Sequence, residues 1–203
     1  MRLLIVANSN NIPAIDYKLF DKIVCCDGGA KYVPTNIIPD AIVGDFDSLG
    51  EQEIIKLATN KSKIVFKANQ DESDLSFALK YCIKQYKPEE IIITGAISAD
   101  RFDHSYCNTL LLKQIPKNIS AKIITKTQEI YFVDKKICFS NQIGKTLSII
   151  PLKNCEHIKT SGLKWEINGD LQFGFVNGIS NIIISNQSFI TINNGEILAI
   201  VER

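Results

Sequence analysis

The segment DESDLSFALKYCIKQYKPEEIIIT, Asp71 to Thr94, changes its hydrophobic period part-way along. Leu75, Leu79, Cys82, Ile83 and Tyr86 fall at helical spacing, whereas Ile91-Ile92-Ile93 is a continuous apolar run stopped by Gly95. An amphipathic helix leading into a strand that is apolar at consecutive positions points to a sheet covered on both faces. The same texture extends outward in both directions. Leu3 to Ala7, Lys22 to Cys26, Ala41 to Val43, Lys63 to Lys67, Glu90 to Thr94 and Lys122 to Thr125 read as strands, and Asp103 to Gln114 offers a second, shorter helix. Alternating strand and helix predicts an α/β domain with a mainly parallel sheet.

Beyond Glu129 the pattern changes to short β-rich runs punctuated by Asn-Gly, Gly and Ser, with no convincing helix. Thr146 to Pro151, Leu163 to Ile167, Asn181 to Ser185, Phe189 to Ile192 and Ile197 to Val201 are the expected strands. They predict an all-β antiparallel sandwich or barrel. The chain therefore divides into an α/β domain over 1–129 and a β-sandwich domain over 130–203, with no internal repeat.

At 203 residues, 45% hydrophobic and 22% charged, the chain has the composition of a folded globular protein. Lys plus Arg total 23 against 22 for Asp plus Glu, so no broad positive field exists to gather nucleic acid or an anionic membrane. No apolar run approaches the roughly 20 residues needed to cross a bilayer, and Met1 to Ala7 is too short for a signal sequence. The six cysteines form no C-x-x-C pair, and His104 and His157 are too few to complete a structural zinc site. Reduced thiols and a cytoplasmic location are expected.

Acidic residues gather at the ends of the expected strands. Asp27 sits in Cys25-Cys26-Asp27-Gly28-Gly29-Ala30, where two glycines either let backbone amides approach a ligand or form an ordinary turn. In Pro39-Asp40-Ala41-Ile42-Val43-Gly44-Asp45-Phe46-Asp47-Ser48, Asp45 and Asp47 would project to one side of an extended chain. At about 4 Å and an effective dielectric of about 20, their repulsion is on the order of 4 kcal/mol, which a magnesium ion would relieve. A solvated acidic turn is the plainer alternative, and an EF-hand is excluded because its twelfth position is Lys56. Asn69-Gln70-Asp71-Glu72-Ser73-Asp74 opens the long helix, with Asp71 and Asp74 on one face, either as helix-start residues or as further ligands. Arg101-Phe102-Asp103-His104 follows the Ile91 to Thr94 strand, where Arg101 could grip phosphate and Asp103 could equally be a cap. Gly144-Lys145-Thr146 is not a P-loop, since Phe139 stands where its first glycine is required.

Taken together, Asp27-Gly28-Gly29-Ala30, Gly44-Asp45-Phe46-Asp47-Ser48, Asp71-Glu72-Ser73-Asp74 and Arg101-Phe102-Asp103-His104 resemble the thiamine pyrophosphokinase family in order and spacing. Ser161-Gly162-Leu163-Lys164-Trp165 and Gly178-Ile179-Ser180-Asn181 are similar to that family's thiamine-side motifs, so the resemblance spans nearly the whole chain. It implies a homodimer with composite active sites that transfers a diphosphoryl group from ATP to the thiamine hydroxyl with Mg2+, releasing AMP. By the same resemblance, Asp45, Asp47 and Asp74 are metal ligands and Asp71 helps orient the attacking hydroxyl. Asp27, Gly28, Gly29 and Arg101 contact nucleotide or phosphate, Asp103 and His104 lie near the reacting groups, and Trp165, Ser180 and Asn181 hold thiamine. Two positions depart from the family pattern. Ser73 stands where Thr is usual, and Ser98-Ala99-Asp100 replaces a shorter glycine-rich turn, adding a carboxylate beside the phosphate region.

Two rival readings belong beside this one. A diphosphotransferase acting on another heteroaromatic alcohol, such as a hydroxymethylpterin, would use the same acidic site, and Trp165 with Ser180-Asn181 argues for thiamine instead. A non-catalytic thiamine- or nucleotide-binding regulator would be expected to lose acidic ligands, and here all four carboxylates remain.

Overall fold

The computed structural model describes residues 1–47, 61–68, 70–175 and 177–203. Ser48, Lys56 and Asn69, read above, lie outside the described residues. Contacts divide the chain into two compact units, Met1–Lys126 and Thr127–Arg203.

The first unit is built on six strands: β1 (Arg2–Val6), β2 (Lys22–Cys26), β3 (Ala41–Gly44), β4 (Lys63–Phe66), β5 (Glu90–Thr94) and β6 (Ser120–Ile124). They are ordered β6-β5-β1-β2-β3-β4, and each neighbouring pair is parallel. The chain thus winds outward from β1 to β4 and returns to β5 on the other side of β1. Leu4, Val6, Ile23, Cys25, Ile42, Ile92 and Ile124 share one apolar cluster, the alternate residues of five strands forming one buried face. Leu3, Ile5, Val24, Ile91 and Ile93 are buried on the other, which is why the strands read as continuous apolar runs.

Helix α1 (Asp74–Tyr86) packs on β2 and β3 through a stripe that includes Leu75, Leu79 and Cys82. Its N-cap is Ser73, whose side chain accepts the Ser76 N–H at 3.2 Å. Asp71, expected among the helix-start residues, lies before this cap, because the serine hydroxyl already closes the first turn. Helix α2 (Phe102–Leu110) runs on into a 3-10 turn over Leu111–Gln114. Its cap position is Arg101, with no side-chain cap, and Asp103 lies inside the first turn.

The second unit holds two antiparallel sheets. One is β12 (Asn181–Ile182), β9 (Thr146–Pro151), β14 (Ile197–Glu202) and β7 (Gln128–Val133), in that order. The other is β11 (Asn168–Leu171), β10 (Cys155–Ser161), β13 (Gln187–Thr191) and β8 (Lys136–Ser140). Leu147, Ile149 and Ala199 of the first sheet share a core with Ile158, Ile190 and Phe139 of the second, as in a sandwich.

One expected strand is absent: Leu163 to Ile167 is a turn carrying a single bridge, Leu163 to Ile183. Glu166 folds it back, accepting the Leu163 N–H at 3.0 Å through one oxygen and the Thr160 hydroxyl at 2.6 Å through the other. Such side-chain hydrogen bonds offer the backbone an alternative to a ladder. All six cysteines are free thiols. Among the described residues no helix is long and apolar enough to cross a membrane.

Candidate active site

In the first unit the strand order reverses at β1, between β5 and β2, and the carboxyl ends of these strands face a cavity of about 760 Å³. Reversal points of this kind are where open parallel sheets bind ligands, because the loops on either side diverge and leave a crevice. Ala7 to Ser9 after β1, Cys26 at the end of β2 with Asp27 following it, Lys67 after β4 and Gly95 and Ala96 after β5 line it. Its remaining wall includes Asp47, Gln70 to Leu75, Ser98, Arg101 and His104. Side-chain bonds fix the β5 side: Ser9 Oγ donates to the Ile97 carbonyl at 2.9 Å, and Asn108 Nδ2 donates to the Ala96 carbonyl at 2.8 Å.

Three carboxylates converge at this edge. Asp27, Asp45 and Asp74 each place an oxygen within 4.8 Å of the others. Asp27 is 2% exposed, and its Oδ1 is buried with no hydrogen-bond partner. Its φ of 41° is left-handed, so the strand turns sharply there into a 3-10 stretch. Gly44 makes the approach possible: a Cβ at this position would lie 2.9 Å from Asp27 Cβ. Asp74 arrives on the first residue of α1, and Asp45 follows β3 directly.

This trio differs from the set of Asp45, Asp47 and Asp74 that the resemblance implies. The strand ends at Gly44, and Phe46 has a φ of 64°, so Asp45 and Asp47 are not alternate residues of extended chain. Asp47 is exposed and lines the same cavity outside the cluster, while its N–H donates to Asp45 Oδ1 at 3.3 Å. Asp27, expected among the nucleotide contacts, takes the third place. Gly28 and Gly29 do not line the cavity; a Cβ on Gly28 would meet the Asn8 side chain at 2.6 Å, and one on Gly29 the Val6 carbonyl at 2.2 Å. Their smallness answers to the end of β1.

The electrostatics are shared unequally. Burial raises the Asp74 pKa despite the pull of Lys67, and the nearby Asp45 and Asp27 charges add to the rise. Burial also works to raise Asp45, yet the Gln70 amide at 3.1 Å, the Asp47 N–H and the Lys67 charge outweigh it and lower the pKa. Sequence reasoning missed Lys67, a 4% exposed ammonium 2.8 Å from Asp74 Oδ1 and 3.8 Å from Asp45 Oδ2. Its one signal is that a charged residue closes the apolar run Lys63 to Lys67.

Across the cavity wall, Arg101 engages Asp103 through both arms of its fork, Nε to Oδ1 at 3.0 Å and Nη2 to Oδ2 at 2.8 Å. This pairing holds the Asp103 carboxyl well below the usual range. Arg101 Nη2 also meets His104 Nε2. Asp71 is exposed on the rim. The Ser98-Ala99-Asp100 turn is tied down by the Ser105 hydroxyl, which accepts the Ser98 N–H at 2.9 Å, and Asp100 is not among the lining residues.

Trp165, Ser180 and Asn181 belong to the second unit. Trp165 is 54% exposed on the turn described above, with the Lys164 ammonium 4.6 Å from its ring centre. Buried Asn181 accepts the Trp165 N–H at 3.1 Å and donates to the Trp165 carbonyl at 2.6 Å. Its amide is therefore spent on holding the indole-bearing turn. Ser180 is exposed, at a φ of 56°, and donates its N–H to Ser148 Oγ at 3.0 Å.

Known proteins resemble this chain in sequence and in fold. Residues 17–139 match the thiamin pyrophosphokinase catalytic domain, and residues 134–197 match the thiamin pyrophosphokinase vitamin B1 binding domain. Thiamine pyrophosphokinase of Bacillus subtilis (strain 168) is 29% identical over 184 residues, covering 85% of this chain and 83% of that protein. Thiamin pyrophosphokinase 1 of Caenorhabditis elegans is 28% identical over 174 residues, covering 80% and 70%. The crystal structure of the Bacillus subtilis thiamine pyrophosphokinase superposes with a TM-score of 0.88 at 25% identity, covering 100% of this chain and 99% of that one.

Proposed function

The chain belongs to the thiamin pyrophosphokinase family of enzymes, and from that premise we propose that it transfers a diphosphoryl group from ATP to the hydroxyl of thiamine, using magnesium. The observation that carries the reading is the convergence of Asp27, Asp45 and Asp74 at the strand-order reversal, with a buried Asp27 oxygen lacking any hydrogen-bond partner. An all-oxygen donor set of this kind suits a hard divalent cation. Asp27, Asp45 and Asp74 would hold it, with Asp47 beside them in the same cavity. When bound, the cation neutralises polyphosphate charge.

The rest of the chemistry falls to the chain's own groups. The thiamine hydroxyl oxygen bonds to the β-phosphorus while the bond from that phosphorus to the oxygen bridging the α- and β-phosphates breaks, and AMP leaves with the electron pair. Asp71 orients the hydroxyl and accepts its proton. Arg101 stabilises charge on the phosphoryl oxygens through the guanidinium N–H groups that Asp103 leaves over, Asp103 orienting the planar group through Nε and Nη2 and His104 flanking it. Positioning and charge neutralisation suffice for phosphoryl transfer, so no protein nucleophile is required.

Thiamine is placed by Trp165, which Asn181 positions, with Ser180 nearby. We further propose a homodimer with composite active sites, working in the cytoplasm. AMP release from ATP tests the reading: it should require both thiamine and magnesium and yield thiamine diphosphate in equal amount. AMP formation indifferent to thiamine, or a product carrying one phosphate, would overturn it.

A further inference from the structure

The acidic cluster contains a cation of its own. Lys67 extends from the end of β4, its N–H donating to the Gly44 carbonyl at 2.8 Å. Its ammonium is fixed on three sides: Asp74 Oδ1 at 2.8 Å, Asp45 Oδ2 at 3.8 Å, and the Glu72 carbonyl, to which it donates at 2.9 Å. With its side chain 4% exposed, this is a built-in group rather than a surface lysine that swings in and out. It touches two of the three members of the trio, Asp45 and Asp74, and Asp27 Oδ1 is left without a partner.

The charge balance has a consequence for what the cluster can bind. As ligands, three carboxylates with one ammonium among them bring two net negative charges, which one divalent cation cancels. Within the trio, leaving aside exposed Asp47 and Asp71 elsewhere on the cavity wall, a second such ion would meet a neutral cluster and a fixed positive charge, where repulsion at a few Å is substantial even at an effective dielectric of about 20. The first ion also feels that repulsion. We propose that Lys67 is the charge-setting residue of the metal site, a tethered ammonium that restricts the trio to one divalent cation and weakens its hold on that cation in the absence of nucleotide. The cation then binds firmly only when polyphosphate adds its own negative charge. This inference rests on the metal reading above.

Manganese binding to the full chain without nucleotide, followed by the loss of the free-ion electron paramagnetic resonance signal, tests it. The expected result is one ion per wild-type chain, affinity tightened by about tenfold or more in Lys67→Met, and affinity within about threefold of wild type in Lys67→Arg, which keeps the charge. A purely structural lysine predicts the opposite, since loosening Asp74 and the Glu72 carbonyl would weaken binding. Unchanged or weaker affinity in Lys67→Met, with native circular dichroism, would overturn the proposal. Should Lys67→Met fail to fold, two ions per wild-type chain or clearly tighter binding in Lys67→Arg would overturn it, and one ion with wild-type affinity in Lys67→Arg would support it. Asp45→Asn separates the two readings: if manganese binds it as well as wild type, the metal site itself is wrong.

Discussion

A buried carboxylate oxygen with no partner is costly unless something satisfies it, and Asp27 Oδ1 is such an atom, at the centre of the proposed chemistry. Its position ranks the acidic residues differently from their spacing. Asp27→Asn, which preserves shape and removes charge, should lower kcat about 100-fold at saturating substrates. Asp47→Asn, outside the cluster, should cost about tenfold or less. The reverse ranking in steady-state AMP release would restore Asp45, Asp47 and Asp74 as the ligand set. Arg101→Lys tests the other wall: it keeps the charge and loses the fork that Asp103 engages, so kcat should fall about tenfold or more with native stability. Full activity in Arg101→Lys would make the arginine a structural ion-pair partner. Asp45 and Asp74 were legible in the sequence because each follows a strand end or opens a helix. Lys67 was not, because its partners come from separate segments brought together by the parallel sheet.

Elements place these groups through close backbone approach. Gly44 ends β3 against Asp27, and the Cβ of Gly44→Ala would lie 2.9 Å from Asp27 Cβ and 3.4 Å from its backbone. Because the neighbour is anchored at the end of β2, the strain falls on the strand end that carries the carboxylate. Gly44→Ala should lower stability by about 1–3 kcal/mol and weaken manganese binding in the same variant. A urea midpoint and a metal affinity both equal to wild type would show that the strand ends yield without cost. The element pattern was readable where period and burial agree: β1, β2, β3, β5 and β14 are apolar runs buried nearly throughout, and β9 buries alternate residues. It misled at Leu163 to Ile167, whose alternating apolar residues suit a strand. Glu166 there spends both carboxylate oxygens on local partners, and a side-chain preference of that kind leaves no periodic trace. The same limit applies to Asp45-Phe46-Asp47, where the left-handed Phe46 breaks an alternation that the residue types alone suggest.

At the scale of the molecule, the change of texture near residue 129 exposed the two-part organisation, because parallel strands buried on both faces and a sandwich buried on one impose different periods. In the proposed reading, Trp165 connects that organisation to catalysis. Alternation would put the indole in a core, yet it is 54% exposed and held from behind by Asn181. Trp165→Ala should therefore fold with stability within about 0.5 kcal/mol of wild type, and raise the thiamine KM more than the ATP KM. Thiamine should also shift the emission of this single tryptophan, because an exposed ring that stacks on a heteroaromatic ligand exchanges water for a π-face. The homodimer with composite sites makes the sharper demand. If Trp165 serves a site whose acidic residues come from the other subunit, Asp45→Asn and Trp165→Ala chains carry complementary defects. In a heterodimer of the two, one site holds both lesions and the other holds neither. Random exchange at equal concentrations should then recover about a quarter of wild-type activity, from half of the dimers bearing one intact site each. The recovered activity should show the wild-type thiamine KM, which residual Trp165→Ala turnover would not. Mixed chains that exchange subunits yet give only the average of the two separate activities would place both groups in one subunit's own site.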